Sequence, residues 1–505
     1  MNKYIFNVEQ VREIDRIAIE EMDIPGSELM ERAGKRAFRS IRGLYENLPG
    51  ILVLCGPGNN GGDGYVVALC ALKEGMDVQV IFTEKPKSRD AKSMCQQYLS
   101  AGGIARKYDP GAGKLPLIGD VIVDAILGTG IKESPKGAAA TLINAANDDW
   151  RPIVALDVPS GLECSAGVAF DPCVKAVMTV TFIGRKAGCY TADGRDQCGS
   201  VIYESLDVPL EEIGMNAFAT LVEPLALEPR IHNSHKGRYG NLGILGGSAG
   251  MLGAVLLAGR AAMRAGCGLV TVVSERKHAG ILAIHCPELM SLNCSAEEKV
   301  DRLLKKADGL VVGPGLDDGN WAHQAFSAAS NYAGPVVVDA GALRLLATPS
   351  YRQRRDNWIL TPHEGEAAAL LGCASLDIRH DRFEAAREIA RVYGGICVLK
   401  GSGTIISDSG DSAPKICDKG NPGMATAGMG DVLSGILGAH VSAGWSISDC
   451  AEFAVWVHST AADHAAAQSS EHSLIASDVI DFLPMVYRTL ETFSEKESSG
   501  TVIQK

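Results

Sequence analysis

Two successive series of short, unbroken apolar runs, each followed by a helical segment, constrain this chain more than any other feature. The first series is ILVLCG at 51, VQVIF at 78, VIVDAI at 121, PIVALDVP at 152 and VMTVTFIG at 177. Runs that are apolar throughout belong to strands buried on both faces, and intervening segments such as GYVVALCALKEG and SRDAKSMCQQYLSAGG supply the covering helices. That pattern predicts a doubly wound α/β domain with a mostly parallel sheet, preceded by two amphipathic helices over residues 8–46. After SVIYESLDVP the rhythm weakens, and a second series starts with NLGILGGS at 241 and continues through LVTVVS, GLVVGPG, PVVVDAGAL, WILTPHEGE and ICVLKGSGTIISD. A chain of 505 residues exceeds what one hydrophobic core usually supports. The expected division is a first domain over 1–215, a linker over 216–235 and a second domain over 236–495, with the end EKESSGTVIQK read as a frayed tail.

Composition narrows the function class. A formal charge of -12 argues against a nucleic-acid binder, which needs a basic field to displace counterions. No apolar run reaches membrane-spanning length, since Arg260 and Arg264 interrupt the best candidate. The start MNKYIFNVEQVREID has no apolar signal core. Of the 14 cysteines the most closely spaced pair is Cys286 and Cys294, so no C-x-x-C zinc or redox spacing exists. Cys55, Cys70 and Cys397 read as reduced core residues, and a cytoplasmic homo-oligomer is the expectation.

In the second half, GNPGMATAGMGD at 420–431 runs directly into the helical VLSGILGAHVSAG. Glycines ahead of a helix let backbone N–H groups converge on an anion, and the helix dipole adds positive potential there. Asp431 in the first turn would favour the helix but repel a phosphate. It is therefore either a helix cap or a base that deprotonates a hydroxyl attacking a phosphoryl group, with the amides of Gly428 to Gly430 stabilising the developing charge. Other loops also follow strands, where open α/β sheets bind ligands: GPG at 313–315, TPHEGE at 361–366, and Lys400 to Thr404 in LKGSGTIISD. His363 is open to a plainer reading as a turn residue after Pro362.

In the first half, CGPGNNGGDG at 55–64 joins a strand to a helix without the usual dinucleotide fingerprint or a phosphate-loop lysine. Asn59, Asn60 and Asp63 add oxygen acceptors that a phosphate cradle does not need. Asp124 and Asp157 end strands, with Ser160 close behind, and these oxygens suit a hard cation better than zinc. Each aspartate alone could equally cap the next turn.

Taken together, GGSAGMLGA, VVGPGL, LTPHEGE, LKGSGTII and GNPGMATAGMGDVLSGIL resemble the carbohydrate-kinase-like dehydratase of hydrated NAD(P)H, a ribokinase-like α/β family, over about residues 228–490. The resemblance implies that Ala254, Gly315, His363 and Asp431 contact the hydrated dinucleotide. Lys400, Gly401, Ser402, Gly403, Thr404 and Gly430 would hold the nucleotide, ADP with Mg2+ in bacterial relatives, and Asp431 would be the general base. Many relatives carry Thr-Gly-Gly-Thr-Gly-Asp where this chain has Thr426-Ala427-Gly428-Met429-Gly430-Asp431. Over residues 8–212, GPGNNGGDG, VDAILGTGIK and ALDVPSGL resemble the NAD(P)H-hydrate epimerase family, which implies a Rossmann-like domain. By that resemblance Asn60, Asp124 and Ser160 bind K+. Asn59, Asn60, Gly61, Gly62, Asp63, Gly128, Thr129, Gly130, Ile131, Lys132, Glu133, Ser134 and Asp157 contact the hydrate, with Asp157 the acid/base. A fused epimerase would feed both epimers to a dehydratase that accepts only the S form, so NAD(P)H hydrates and ADP are the expected ligands. The alternatives are a ribokinase-like small-molecule kinase fused to a nucleotide-binding module, and a nucleotide-sensing binding protein.

Overall fold

The computed structural model describes residues 3–45, 47–112 and 114–498. Its contacts divide the chain between Thr220 and Leu221.

In the first unit, seven strands form an all-parallel sheet in the order 104–107, 77–82, 50–55, 121–125, 153–156, 178–182 and 200–204. Chain order reverses between Gly50–Cys55 and Val121–Ala125, and a crevice opens at such a switch point beyond the strand C-termini. Successive side chains of one strand serve both faces. Ile51, Val53 and Cys55 pack with Val11, Ile14, Met30 and Phe38 of the two N-terminal helices, whereas Leu52 and Leu54 pack with Leu142 and Ile143 of the helix Gly137–Asn147. Every residue of Gly50–Cys55 is buried, at roughly 1.5–3 kcal/mol for each large apolar side chain. The helices Val8–Glu20 and Gly26–Leu44 fall within the span that the pattern assigns to them. The first is held by a capping box, in which Asn7 accepts from Gln10 N at 2.9 Å and Asn7 N donates to the Gln10 side chain at 3.2 Å. The edge strand Ile104–Lys107 carries no continuous apolar run, and the pattern passes over it.

The second unit holds a sheet ordered 290–293, 269–274, 241–245, 309–312, 336–338, 358–360, 396–399, 404–408 and 415–417. Its first seven strands are parallel and its last two pairings antiparallel. ICVLKGSGTIISD is thus a hairpin, with Lys400 to Gly403 as its turn. Chain order reverses between Asn241–Leu245 and Gly309–Val312, again with glycine-containing loops beyond both strands. The C-terminal helix Ala476–Ser498 takes in the first residues of the expected frayed tail, and 499–505 lie outside the described residues. All 14 cysteines are free, with Cys55 and Cys397 buried. Among the described residues no helix is long and apolar enough to cross a membrane.

Candidate active sites

At the switch point of the first unit lies a cavity of about 660 Å³. Asn59, Asn60, Asp63, Gly128, Thr129, Gly130, Ile131 and Asp157 line it; Gly61, Gly62, Lys132, Glu133 and Ser134 do not. The two glycines serve packing. A Cβ at Gly61 would lie 2.1 Å from the Gly56 carbonyl oxygen, and one at Gly62 would lie 2.5 Å from the Met30 sulfur. Lys132, Glu133 and Ser134 are exposed, and Glu133 pairs with Lys136 at 2.7 Å.

Behind the cavity wall the three residues expected to hold K+ come together. The Asp124 carboxylate accepts from Ser160 Oγ at 2.6 Å, Ser160 N at 2.8 Å and Ile126 N at 3.1 Å. Complete burial pushes its carboxyl up to about 6, against these hydrogen bonds. Asn60 Nδ2 donates to the Leu127 carbonyl at 2.9 Å, while Asn60 Oδ1 is buried with no partner. An unpartnered acceptor beside a carboxylate, a hydroxyl and a carbonyl fits a monovalent cation. The set lacks the His and Cys ligands of a transition-metal site, and among the described residues no group of three or more His, Cys, Asp or Glu could hold a metal.

Asp157 sits in the left-handed region at φ +64, uncommon for a residue with a Cβ. Its backbone N–H donates to Val180 O at 2.7 Å, and its carboxylate accepts from the Lys186 ammonium and from Phe182 N at 3.3 Å. Lys186 is almost wholly buried and also donates to Phe182 O at 2.7 Å. Burial pushes its ammonium down, but the Asp157 charge and hydrogen bond, with Asp15 and Cys189 adding to them, together outweigh this and hold the group above its usual value. Three more carboxylates, Asp15, Asp63 and Asp90, face the same cavity. Burial pushes Asp63 well above the carboxylate range, with Asp157 and Asp15 adding repulsion. Burial also lifts Asp15 to about 6, with Lys186 opposing and Asp157 reinforcing.

In the second unit, loops from five neighbouring parallel strands and the helix Met429–Ser442 build the site. Gly428 is the helix N-cap, at φ +92, and makes no side-chain capping bond, so no side chain closes off the first-turn amides. Asp431 follows three positions later and is not the cap. Upstream, the Asp463 carboxylate fixes the loop by accepting from Gly420 N and Asn421 Nδ2, both at 2.9 Å. Met429 turns its side chain into the core.

Beside these amides is a buried charge network. Asp339 accepts from Lys400 Nζ at 2.8 Å, Thr361 Oγ1 at 2.8 Å and Ser434 Oγ at 2.7 Å. Burial pushes the Asp339 carboxyl up, but Lys400 and the two hydroxyls prevail and hold it below the ordinary range. Lys400 Nζ also lies 3.9 Å from Glu366, and a Cβ at Gly430 would be 3.3 Å from that nitrogen. Among the described residues no hydrogen bond reaches the Asp431 carboxylate. Burial lifts it to about 7, with Asp339 reinforcing and Lys400 opposing. His363 caps the helix Glu364–Leu371, its Nδ1 accepting from Gly365 N at 3.0 Å and Glu366 N at 3.3 Å. Its Nε2 lies 3.5 Å from the buried Glu366 carboxylate, on a side chain that is 61% exposed. Ala254 and Gly315 abut, since a Cβ on Gly315 would lie 3.1 Å from that of Ala254. The Gly401–Thr404 turn rests on fully buried Arg382, which bonds Glu364 at 2.7 Å and Gly403 O at 3.2 Å.

Two family models match the chain: NAD(P)H-hydrate dehydratase over residues 242–485, and YjeF-related protein N-terminus over 26–188. A Coxiella burnetii protein named bifunctional NAD(P)H-hydrate repair enzyme Nnr is 40% identical over 95% of this chain and 98% of its own length. An Escherichia coli protein of the same name is 38% identical over 98% and 96%. The chain belongs to the bifunctional NAD(P)H-hydrate repair enzyme family. A Bacillus subtilis ADP/ATP-dependent NAD(P)H-hydrate dehydratase co-crystallised with ATP and Mg2+ is 29% identical, at a TM-score of 0.46 over 53% of this chain and 95% of its own.

Asp15, Lys186, Asp339, Ser434 and Arg382 escape the sequence reading. Asp339 carried a usable signal, since it ends an apolar run in VVVDAGAL just as Asp124 and Asp157 do. Arg382 opens a helix and has no neighbouring motif to mark it.

Proposed function

We propose that this chain repairs hydrated nicotinamide dinucleotides, its first unit interconverting the R and S epimers at C6 and its second dehydrating the S form. In the second unit Asp431 takes the proton from the C6 hydroxyl, whose oxygen attacks the terminal phosphoryl of ADP, with AMP leaving. The first-turn amides of Met429–Ser442 face the charge that builds up, and Lys400, bonded to Asp339, supplies positive charge beside Asp431. The C6 phosphate then departs with the push of the ring nitrogen, and loss of a C5 proton restores the dihydropyridine. Lys400 to Thr404 with Gly430 hold the nucleotide, while Ala254, Gly315 and the exposed side chain of His363 contact the hydrate. Mg2+ is assigned to the nucleotide's own phosphates, since among the described residues no group of three or more His, Cys, Asp or Glu could hold a metal.

In the first unit Asp157 serves as acid/base at C6, oriented by Lys186. K+ on Asn60, Asp124, Ser160 and the Leu127 carbonyl would neutralise the buried Asp124 and tie the Gly128–Ile131 loop to the helix Asn59–Lys73. The observation that carries this reading is the end-to-end match to repair enzymes, with a carboxylate–lysine pair at the C-terminal strand edge of each unit. It is tested by following R and S hydrates separately with Asp157→Asn and Asp431→Asn chains. Each variant should lose one activity and keep the other, and loss of both together in either variant would contradict the assignment.

A further inference from the structure

The helix Val8–Glu20 turns Val11, Arg12, Asp15 and Ile19 toward the cavity of the first unit. Asp15 is its carboxylate there, and among the described residues no hydrogen bond reaches it. Across the cavity Asp157 is ion-paired with Lys186. The wall thus presents one carboxylate tied to a buried ammonium, and three, Asp15, Asp63 and Asp90, that no hydrogen bond reaches among the described residues; of these Asp15 comes from the N-terminal helix.

Epimerisation at C6 needs two proton-handling groups. The hydroxyl departs from one face of the ring and returns to the other, and departure requires an acid while return requires a base. A carboxylate held by an ammonium is suited to the second task and has no proton to offer for the first. Resting on the epimerase reading of this unit, we propose that Asp15 is a second catalytic residue, the acid that protonates the departing C6 hydroxyl while Asp157 deprotonates the returning water.

The Asp15 proton passes to the C6 hydroxyl oxygen, the C6–O bond breaks with its electron pair leaving on water, and the N1 lone pair closes an N1=C6 double bond. A water oxygen then bonds to C6 from the opposite face, that π pair returns to N1, and Asp157 takes the proton released by the water. One water leaves and one enters, no electrons are exchanged with a second reagent, and water in the cavity returns the proton from Asp157 to Asp15. The charged groups facing Asp15 are Arg12 on its own helix, Asp63, Asp90, Asp157 and Lys186. Burial keeps the Asp15 carboxyl up to about 6, which leaves an appreciable protonated fraction near neutrality.

The test uses the full chain and the purified R hydrate without ADP, with the epimers separated chromatographically. Asp15→Asn should slow R-to-S conversion by about 10²-fold or more. It should also remove the fall in rate that the wild type shows as pH rises through about 6. Asp15→Glu should recover part of the rate together with that fall, and the wild type should place one solvent oxygen in the product per turnover in ¹⁸O-water. Both variants should dehydrate the S hydrate at the wild-type rate when ADP is added. Wild-type epimerisation in Asp15→Asn, or a slowed rate that keeps the wild-type pH profile, overturns the proposal. If Asp15→Asn does not fold, the Asp15→Glu profile decides in the same way. A wild type that fails to interconvert the epimers overturns the epimerase reading itself, a distinct result.

Discussion

Both units set a carboxylate beside a lysine at the C-terminal edge of a parallel sheet, Lys186 buried and Lys400 partly so, but they connect the two groups differently. In the first unit Asp157 bonds Lys186 directly and is held there by a left-handed backbone. In the second, Lys400 is bonded to Asp339 instead, and Asp431 stands next to that pair without a hydrogen bond of its own. A direct ion pair makes a fixed acceptor. A carboxylate left buried beside a second carboxylate is pushed to about 7, where it can gain and lose a proton near neutral pH. The glycine loops differ in the same sense. Gly56 and Gly61 are required by packing, since a Cβ at Gly56 would lie 1.8 Å from the Ile126 carbonyl oxygen. Gly428 is required by conformation, and it leaves a helix N-terminus without a side-chain cap.

The sharpest way to break this contrast is Asp431→Asn, which removes the base with little change in volume. Dehydration of the S hydrate should fall by about 10³-fold, within the range for loss of a general base, with R-to-S conversion unchanged. Retained dehydration would leave Asp431 a structural residue only. Next in size is Lys400→Met. It strands Asp339 as an unpaired buried carboxylate, and unfolding of the second unit in urea should show a loss of about 3 kcal/mol. The same change removes the cation that opposes protonation of Asp431, so the pH midpoint of any remaining dehydration should move upward.

The two units should also part in their pH dependence. A base must be deprotonated to act, so the wild-type dehydration rate should fall as pH drops through about 7, following Asp431. A pH-independent rate from 5 to 9, roughly the span over which such a carboxylate titrates, would contradict that role. The smallest expected effects concern the loops. Gly428→Ala forces a Cβ into a left-handed position, at a strain of about 1–2 kcal/mol, and should weaken nucleotide affinity more than it lowers thermal stability. Asn60→Ala should reduce the stimulation of epimerisation by K+ over Na+ while leaving dehydration alone. An unchanged K+ response would remove Asn60 from the cation site.

The sequence discloses the parts of each site that lie on one continuous segment. Gly428 to Asp431, Lys400 to Thr404 and the strand-ending Asp124 and Asp157 are all visible as strand–loop–helix transitions, because buried parallel strands produce apolar runs whose ends can be found. The charge partners are not visible, because they come from distant segments whose local pattern has its own explanation. Asp15 lies on an ordinary amphipathic helix, Lys186 in FIGRKAG follows a strand like any exposed lysine, and Arg382 reaches the Gly401–Thr404 turn from a helix start. The exposed Lys132, Glu133 and Ser134 show the opposite case. They share a motif with cavity residues, yet the chain leaves the cavity after Ile131.

The most direct test of a two-unit repair enzyme is the recovery of near-ultraviolet dihydronicotinamide absorbance from an equal mixture of R and S NADH hydrates, with ADP, Mg2+ and K+. The full chain should restore all of the absorbance, and Asp157→Asn should stop near half, when the S form is consumed. No ADP-dependent recovery by the wild type would contradict the account, as would recovery that stops at half.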